Sequence, residues 1–167
     1  MPEKALQIDP QLYRKVMGQF ATGVTIVTTR VGDRIHGMAA NSFVSVSLDP
    51  PLVLVSIAKK AKMHEYLKAS GTYGISILHE GQQELCQHFA GRPIEGLTVA
   101  FEDIDGIPVI KDALAHITAE IVDAHEAGDH TLFIGRVRYI DYKEGLHPLL
   151  FCQGRYGQVS KSSETEH

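Results

Sequence analysis

The chain of 167 residues contains no tryptophan and only two cysteines. Cys86 and Cys152 are too few and too far apart for a zinc knuckle or a disulfide framework, so both are expected as packing thiols in a reducing compartment. No apolar run approaches the about 20 residues that cross a bilayer. The opening stretch MPEKALQIDPQLYRK lacks an apolar segment ahead of a small-residue cleavage site. The expectation is a cytoplasmic protein without membrane contact. Basic residues are also in short supply, with 16 Lys and Arg against 20 Asp and Glu, and they are scattered rather than striped. That excludes the electrostatic footprint of a nucleic-acid binder and leaves a small molecule as the expected partner. Nine histidines show no His-x-His pair and no i, i+4 pair, so no metal site is expected. The Gly-x-Gly-x-x-Gly turn, the Gly-Lys-Ser/Thr loop and the Gly-x-Ser-x-Gly elbow are all missing. A nicotinamide cofactor, if used, is not held by a Rossmann unit.

What is present reads as one domain over residues 1–167, with an ordered core over about 9–158 and a polar tail, SKSSETEH, over 160–167. Asp9-Pro10 is an N-cap followed by proline at the first helical position, and Leu12, Val16 and Phe20 recur at helical spacing. A short helix is predicted over about 10–19. GVTIVTTR, the turn VGDR and IHGMAANSFVSVSL follow as a hairpin rich in β-branched residues. After the break at DPP, LVLVSIA is a nearly continuous apolar strand, predicted to be central. KMHEYLKAS, with Met63, Tyr66 and Leu67 on one face, is a helix stopped by Gly71. TYGISIL is the next strand. GQQELCQHFAGRP is a third short helix, with Leu85, His88 and Phe89 on one face. Residues 94–112 read as irregular. HITAEIVDAHEAGDHTLFIGRVRYIDY gives two long strands around a turn, and HPLLFCQGRY closes with another. Six or seven strands joined by turns rather than crossover helices favour a mainly β protein, an antiparallel barrel with peripheral short helices.

The residues offer one polar concentration. The strand end AANSFVSVS carries Asn41, Ser42, Ser45 and Ser47, and SIAKKAK places Lys59, Lys60 and Lys62 just beyond the apolar strand. Asn41 and nearby backbone amides suit a planar heterocycle, and the lysines suit phosphate. The pattern equally describes hydroxyls that satisfy strand edges and a lysine run on the solvated first turn of a helix. In AGDHTLFIGRV a titratable pair, Asp129-His130, stands directly before an apolar strand. Gly128 suits the turn backbone, and Asp129 suits bonds to turn amides or to the tautomer of His130.

These segments, in the order FATGVTIVTT, GMAANSFVSVSLDPPLVLVSIAKKAKMHEYLKASGTYGISIL, FAG, AGDHTLFIGRV and PLLFCQGRYGQV, resemble the short-chain flavin reductases of two-component monooxygenases. Gly-Asp-His and Ser-Leu-Asp-Pro-Pro-Leu-Val are the most telling motifs, and the resemblance runs from about Asp9 to Tyr156. It implies an antiparallel split β-barrel of the FMN-binding type. The activity it implies is an NAD(P)H:flavin oxidoreductase that reduces FAD or FMN and releases reduced flavin to a separate oxygenase. It implies a homodimer with the flavin near the interface. The flavin ring would lie against Ala39, Ala40, Asn41 and Ser42. Ser47 and the segment Ser56, Ile57, Ala58, Lys59, Lys60 and Lys62 would surround the ribityl chain and phosphate. Phe89 and Ala90 would line the flavin pocket, His130 would contact the nicotinamide of NADH or NADPH, and Tyr156 would close over the cofactor. Positions 59–63 depart from the pattern, being more basic than the hydroxyl-rich run of many relatives. Two other activities of such a barrel remain open from the residues: a flavin-binding module without turnover, and a pyridoxamine-phosphate-oxidase-like enzyme.

Overall fold

The computed structural model describes residues 6–160. All but the first residue of the polar tail lie outside the described residues. Helix α1 (Pro10–Met17) begins as the sequence predicts, with the Asp9 carboxylate accepting from the Gln11 amide at 3.0 Å. It buries none of its side chains, and Leu12, Val16 and Phe20 are all exposed. The helical spacing is real, but the apolar stripe has no partner among the described residues.

Strands β1 (Thr22–Gly23), β2 (Thr25–Val31), β3 (Arg34–Ala40), β4 (Phe43–Leu48) and β5 (Pro51–Ala58) follow, then α2 (Lys62–Ser70) and β6 (Thr72–Ile77). A 3-10 turn (Glu80–Gln82) leads into α3 (Gln83–Phe89), then come β7 (Phe101–Ile104), β8 (Ile107–Ile110), β9 (Ala115–Ala127), β10 (His130–Tyr142), β11 (Leu149–Cys152) and β12 (Arg155–Gln158). The described residues thus hold twelve strands rather than six or seven. The excess comes from the β7–β8 and β11–β12 hairpins, the two-residue β1 and the break between β3 and β4. The segment 94–112, read as irregular, contains the β7–β8 hairpin, turned by Asp105 and Gly106 with φ of 50° and 87°. Asp-Gly between two short runs is a hairpin signal, here flanked by Pro108 and by the charged residues of β7.

Seven strands form one antiparallel sheet in the order β3-β2-β6-β9-β10-β5-β4, and β1, β11 and β12 form a smaller one. The long IHGMAANSFVSVSL stretch is not one strand. It breaks at Asn41–Ser42, and β3 and β4 go to opposite ends of the sheet. The sheet is rolled so that β2 and β5 share one buried cluster although three strands lie between them in the order. Inside, the Tyr73 hydroxyl of β6 donates to the Phe133 carbonyl of β10 at 3.1 Å. Register shifts at Ile134/Gly135 and Val137/Tyr139 bend the long β9–β10 ladder, as bulges do. The result is the expected antiparallel barrel, split where β3 and β4 do not pair. LVLVSIA is not central: β5 is next to the edge strand β4. Its apolar run reflects Val53, Val55 and Ile57 facing the barrel core.

Helix α2 plugs one end of the barrel with Met63 and Leu67, both fully buried, and stops at Gly71 with φ 73°. A second cluster, built on Val24, Ile26, Leu78, Cys86 and Leu149, packs α3 and the small sheet against the outside. Among the described residues no helix is long and apolar enough to cross a membrane.

Two phenols, Tyr73 fully buried and Tyr156 half-buried, make a pH prediction. Burial raises the Tyr73 hydroxyl above its ordinary value, and burial with a hydrogen bond to Cys86 pushes Tyr156 up to about 12. An acid whose folded value is raised stabilises the fold below its unfolded value of 10.0, and loses that contribution as pH rises through the folded value. Thermal unfolding followed by circular dichroism is expected to be flat between about pH 7 and 9 and to fall from about pH 10 upward.

Candidate active site

Three strand ends and one loop converge at the split. The His130↔Ala58 register pair joins the start of β10 to the end of β5, and the Lys59 amide donates to the Asp129 carbonyl at 2.9 Å. The lysine run is thereby tied to the β9–β10 turn. Gly128, at φ 62°, lets that turn close without a side-chain penalty. Here Asp129 does more than shape the turn, because its carboxylate lies 2.7 Å from Nδ1 of His130. A carboxylate only accepts, so the proton sits on Nδ1 and the neutral ring presents Nε2 as an acceptor. That hydrogen bond, the largest of the causes, holds the Asp129 carboxyl below the usual carboxylate range.

A cavity of about 780 Å³ opens in front of this pair. Ser56, Ala58, Lys59, Lys60 and His130 line it from the barrel, and Pro10, Tyr13 and Arg14 of α1 line it from outside. A slot of about 170 Å³ is lined by Ala39, Ala40, Asn41, Cys86, Ala90, Phe151 and Tyr156. A hollow of about 310 Å³ shares Asn41 and Phe151 with the slot, and Tyr13 and Arg14 with the large cavity. On the other side, a hollow of about 650 Å³ shares Ala39 and Ala90 with the slot and adds His36, Gly37, Lys62 and Phe89. The residues named from sequence therefore fall along one groove that follows the split.

Three of them stand apart. Ile57 is fully buried in the barrel core, because alternation along β5 turns it away from Ser56 and Ala58. Its side chain has no access to the groove. The Ser42 hydroxyl donates to the Ser56 carbonyl at 2.8 Å, and the Ser56 amide donates back to the Ser42 carbonyl. Ser42 thus staples β5 to the start of β4. Ser47 pairs with Leu52, at the far end of β5 and about 20 Å from Ala58 at the usual strand rise; it lines none of these cavities. Conversely, Tyr13, Arg14, Gly37 and Phe151 line the groove without having been singled out. Pro10, Tyr13 and Arg14 do share an i, i+3, i+4 face, but which way α1 faces is a tertiary property.

The groove suits a flavin on three grounds. Strand β3 is a sheet edge, so the backbone groups along the outer side of Ala39 and Ala40 have no strand partner and can bond a polar heterocycle edge. The small side chains of Ala39, Ala40 and Ala90 leave that edge accessible. Cations flank it on both sides: Lys59 and Lys60 on one, Lys62 on the other. Burial, and then the charge of Lys62, lower the pKa of His36, favouring a neutral ring edge-on to Tyr66 at 4.8 Å. Tyr156 packs edge-on against Phe151 at 5.5 Å and stays a neutral phenol.

Gly37 is required by one wall of this groove. A Cβ there would sit 2.7 Å from Cε1 of Phe89 and 3.0 Å from Cδ1. The ring edge can give way, so Gly37→Ala is expected to shift the melting temperature little but to weaken flavin binding about threefold to tenfold by pushing Phe89 into the hollow. Flavin fluorescence quenching measures it.

The comparisons with known proteins agree with this geometry. Residues 17–160 match the profile of the flavin reductase like domain. An NADH-dependent flavin reductase of Rhodococcus sp is 48% identical over 163 residues, covering 93% of this chain and 92% of the relative. The reductase component of 4-hydroxyphenylacetate 3-monooxygenase from Thermus thermophilus is 36% identical, covering 89% of this chain and 96% of the relative. Among solved structures, the NADH:FAD oxidoreductase SgcE6 of Streptomyces globisporus C-1027, in complex with NAD and FAD fragments, superposes with a TM-score of 0.86 at 38% identity, covering 96% of this chain and all of that one. With its split barrel, its edge-strand groove and a profile match over most of its length, the chain belongs to the flavin reductase-like family.

Proposed function

We infer that this chain is an NADH-dependent flavin reductase that reduces FAD or FMN and passes the reduced flavin to a separate oxygenase. One observation carries the reading: the Asp129-oriented His130 and the open edge of β3 lie along the same groove. Bound together, NADH supplies a hydride and the flavin accepts it, a transfer of two electrons and one proton that needs the two rings about 3 to 3.5 Å apart with aligned faces. The protein's part is positioning. Backbone groups at Ala39 and Ala40, with Asn41, hold the polar edge of the flavin and favour the negative charge that reduction places there. Nε2 of His130 accepts from the carboxamide N–H of the nicotinamide and fixes its face. Lys59, Lys60 and Lys62 neutralise phosphate. Tyr156 bounds the slot and Phe89 bounds the hollow beside it, and both keep water from the flavin.

The partner surface follows from what α1 and β4 leave bare. Leu12, Val16 and Phe20, with Val44, Val46 and Leu48, are exposed apolar side chains, and Leu48 is 91% exposed. A second copy of the chain is the occupant this reading assigns, making the enzyme a homodimer of single-domain subunits. Light scattering on a sizing column tests that assignment; a monomer at micromolar concentration contradicts it. The activity is tested by steady-state oxidation of NADH and NADPH with FAD and with FMN. Turnover well above the flavin-only background supports the reading. A yellow protein that neither nucleotide bleaches would instead be a flavin-binding module.

A further inference from the structure

Helix α1 is an oddity for a helix of a folded domain, because its side chains contribute nothing to the core. It is held at its C-terminal end, where the Gln153 amide donates to the Gly18 carbonyl at 2.7 Å and the Gln153 side chain donates to that of Gln19 at 2.7 Å. From there it stands over the large cavity and turns Pro10, Tyr13 and Arg14 into it, while Leu12 and Val16 lie on another face. The cations of that cavity are not alike. Lys59 is 3.6 Å from Glu126, whereas Arg14 and Lys60 have no carboxylate within 4.0 Å among the described residues. The one carboxylate lining the cavity, Asp129, is engaged by His130. A cavity with two unpaired cations, one on each wall, and a hydrogen-bonding imidazole calls for a ligand with a doubly charged anionic centre and an amide-bearing ring. The planar guanidinium is the better match for a diphosphate, to which it offers parallel N–H donors.

We propose that Arg14 of α1, facing Lys60 across the cavity, holds the diphosphate bridge of the nicotinamide dinucleotide, so that α1 clamps the hydride donor against the barrel. The assignment rests on the flavin-reductase reading and adds to it a specificity residue on an element outside the core. Arg14 pins the dinucleotide while His130 sets the ring, which separates affinity for the whole donor from orientation of its reacting end.

The test compares Arg14→Ala and Arg14→Lys with the unsubstituted enzyme, using two hydride donors: NADH, and N-benzyl-1,4-dihydronicotinamide, which has the reacting ring but no phosphate. Arg14→Ala is expected to raise KM for NADH about tenfold or more, with kcat and the flavin dissociation constant within about twofold, and Arg14→Lys to recover part of the loss. Added salt should raise KM of the unsubstituted enzyme more steeply than that of Arg14→Ala. With the phosphate-free donor the penalty should fall within about twofold. Because the Arg14 side chain is exposed and makes no hydrogen bond or ion pair among the described residues, the melting temperature should not move. An unchanged KM for NADH overturns the assignment, as does an equal penalty with both donors, which would make Arg14 structural. A flavin dissociation constant that rises as much as KM overturns it by placing Arg14 at the flavin. These outcomes presuppose turnover by the unsubstituted enzyme. Its absence with every flavin would overturn the flavin-reductase reading, and the clamp with it.

Discussion

Replacing His130 by alanine is expected to lower kcat/KM for NADH about tenfold, a loss of about 1.4 kcal/mol, while leaving flavin affinity within about twofold. The magnitude follows from the bond that is lost. A neutral hydrogen bond contributes about 0.5 to 1.5 kcal/mol net, and more when its removal leaves a desolvated partner unsatisfied. The selectivity follows from position. His130 stands at the mouth of the large cavity, opposite Ala58, whereas the open backbone edge assigned to the flavin is on β3. Asp129→Ala should give a smaller loss in the same parameter, because the imidazole stays but its tautomer and direction are no longer set. Asp129 also predicts the acid behaviour. A depressed carboxyl keeps its orienting role above its ordinary 3.8 and loses it only as pH falls through the lower folded value. Equal losses for NADH and flavin on His130→Ala would mean that the ring holds the turn rather than the donor.

The largest stability effect is expected at Gly135. A Cβ at that position would lie 2.5 Å from the Tyr73 hydroxyl oxygen and 2.7 Å from the Ala119 Cβ. Both neighbours are fully buried inside the barrel, where packing leaves no flexible end to swing aside. Gly135→Ala must either displace Tyr73, breaking its bond to the Phe133 carbonyl, or open the β9–β10 ladder at its bulge. Overpacking costs about 1 to 3 kcal/mol, and a buried polar group left unsatisfied about 1 to 3 more. A loss of about 3 kcal/mol corresponds to a drop of roughly 10 °C in melting temperature for a chain of this size. Tyr73→Phe removes the colliding oxygen, so combining it with Gly135→Ala should recover part of the loss. Strict additivity of the two substitutions in a double-mutant cycle would contradict the contact.

Much of this arrangement is legible in the residues, because the signals are local. Asp9-Pro10 caps α1, Gly71 ends α2 in the left-handed region, and Gly128 turns β9 into β10. Each reflects a backbone need that few residue types meet. Local signals fail where partner choice decides. Nothing local in IHGMAANSFVSVSL says that its two halves belong to opposite ends of a sheet, so the split at Asn41–Ser42 shows only in three dimensions. The β7–β8 hairpin is hard to read for a different reason, because Pro108 and the charged residues on β7 mask the Asp105-Gly106 turn. Of the site, the strand ends and the lysine run lie along the groove, whereas Ile57 turns into the core by strand alternation, Ser47 lies at the far end of β5, and Ser42 is taken up by the Ser56 carbonyl. Arg14 and Tyr13 lie in an N-terminal stretch whose only local message is that it is helical.

The central claim is that the groove along the split brings a nicotinamide and a flavin together for direct hydride transfer. Anaerobic mixing of the protein with FAD or FMN and NADH, at one equivalent and then at rising concentrations, tests it most directly, followed by the visible absorption of oxidised flavin. Bleaching is expected to be stoichiometric, at a rate that saturates with NADH, is slowed by deuterium at the transferred position and is depressed in His130→Ala. Bleaching no faster than in the same mixture without protein would contradict it.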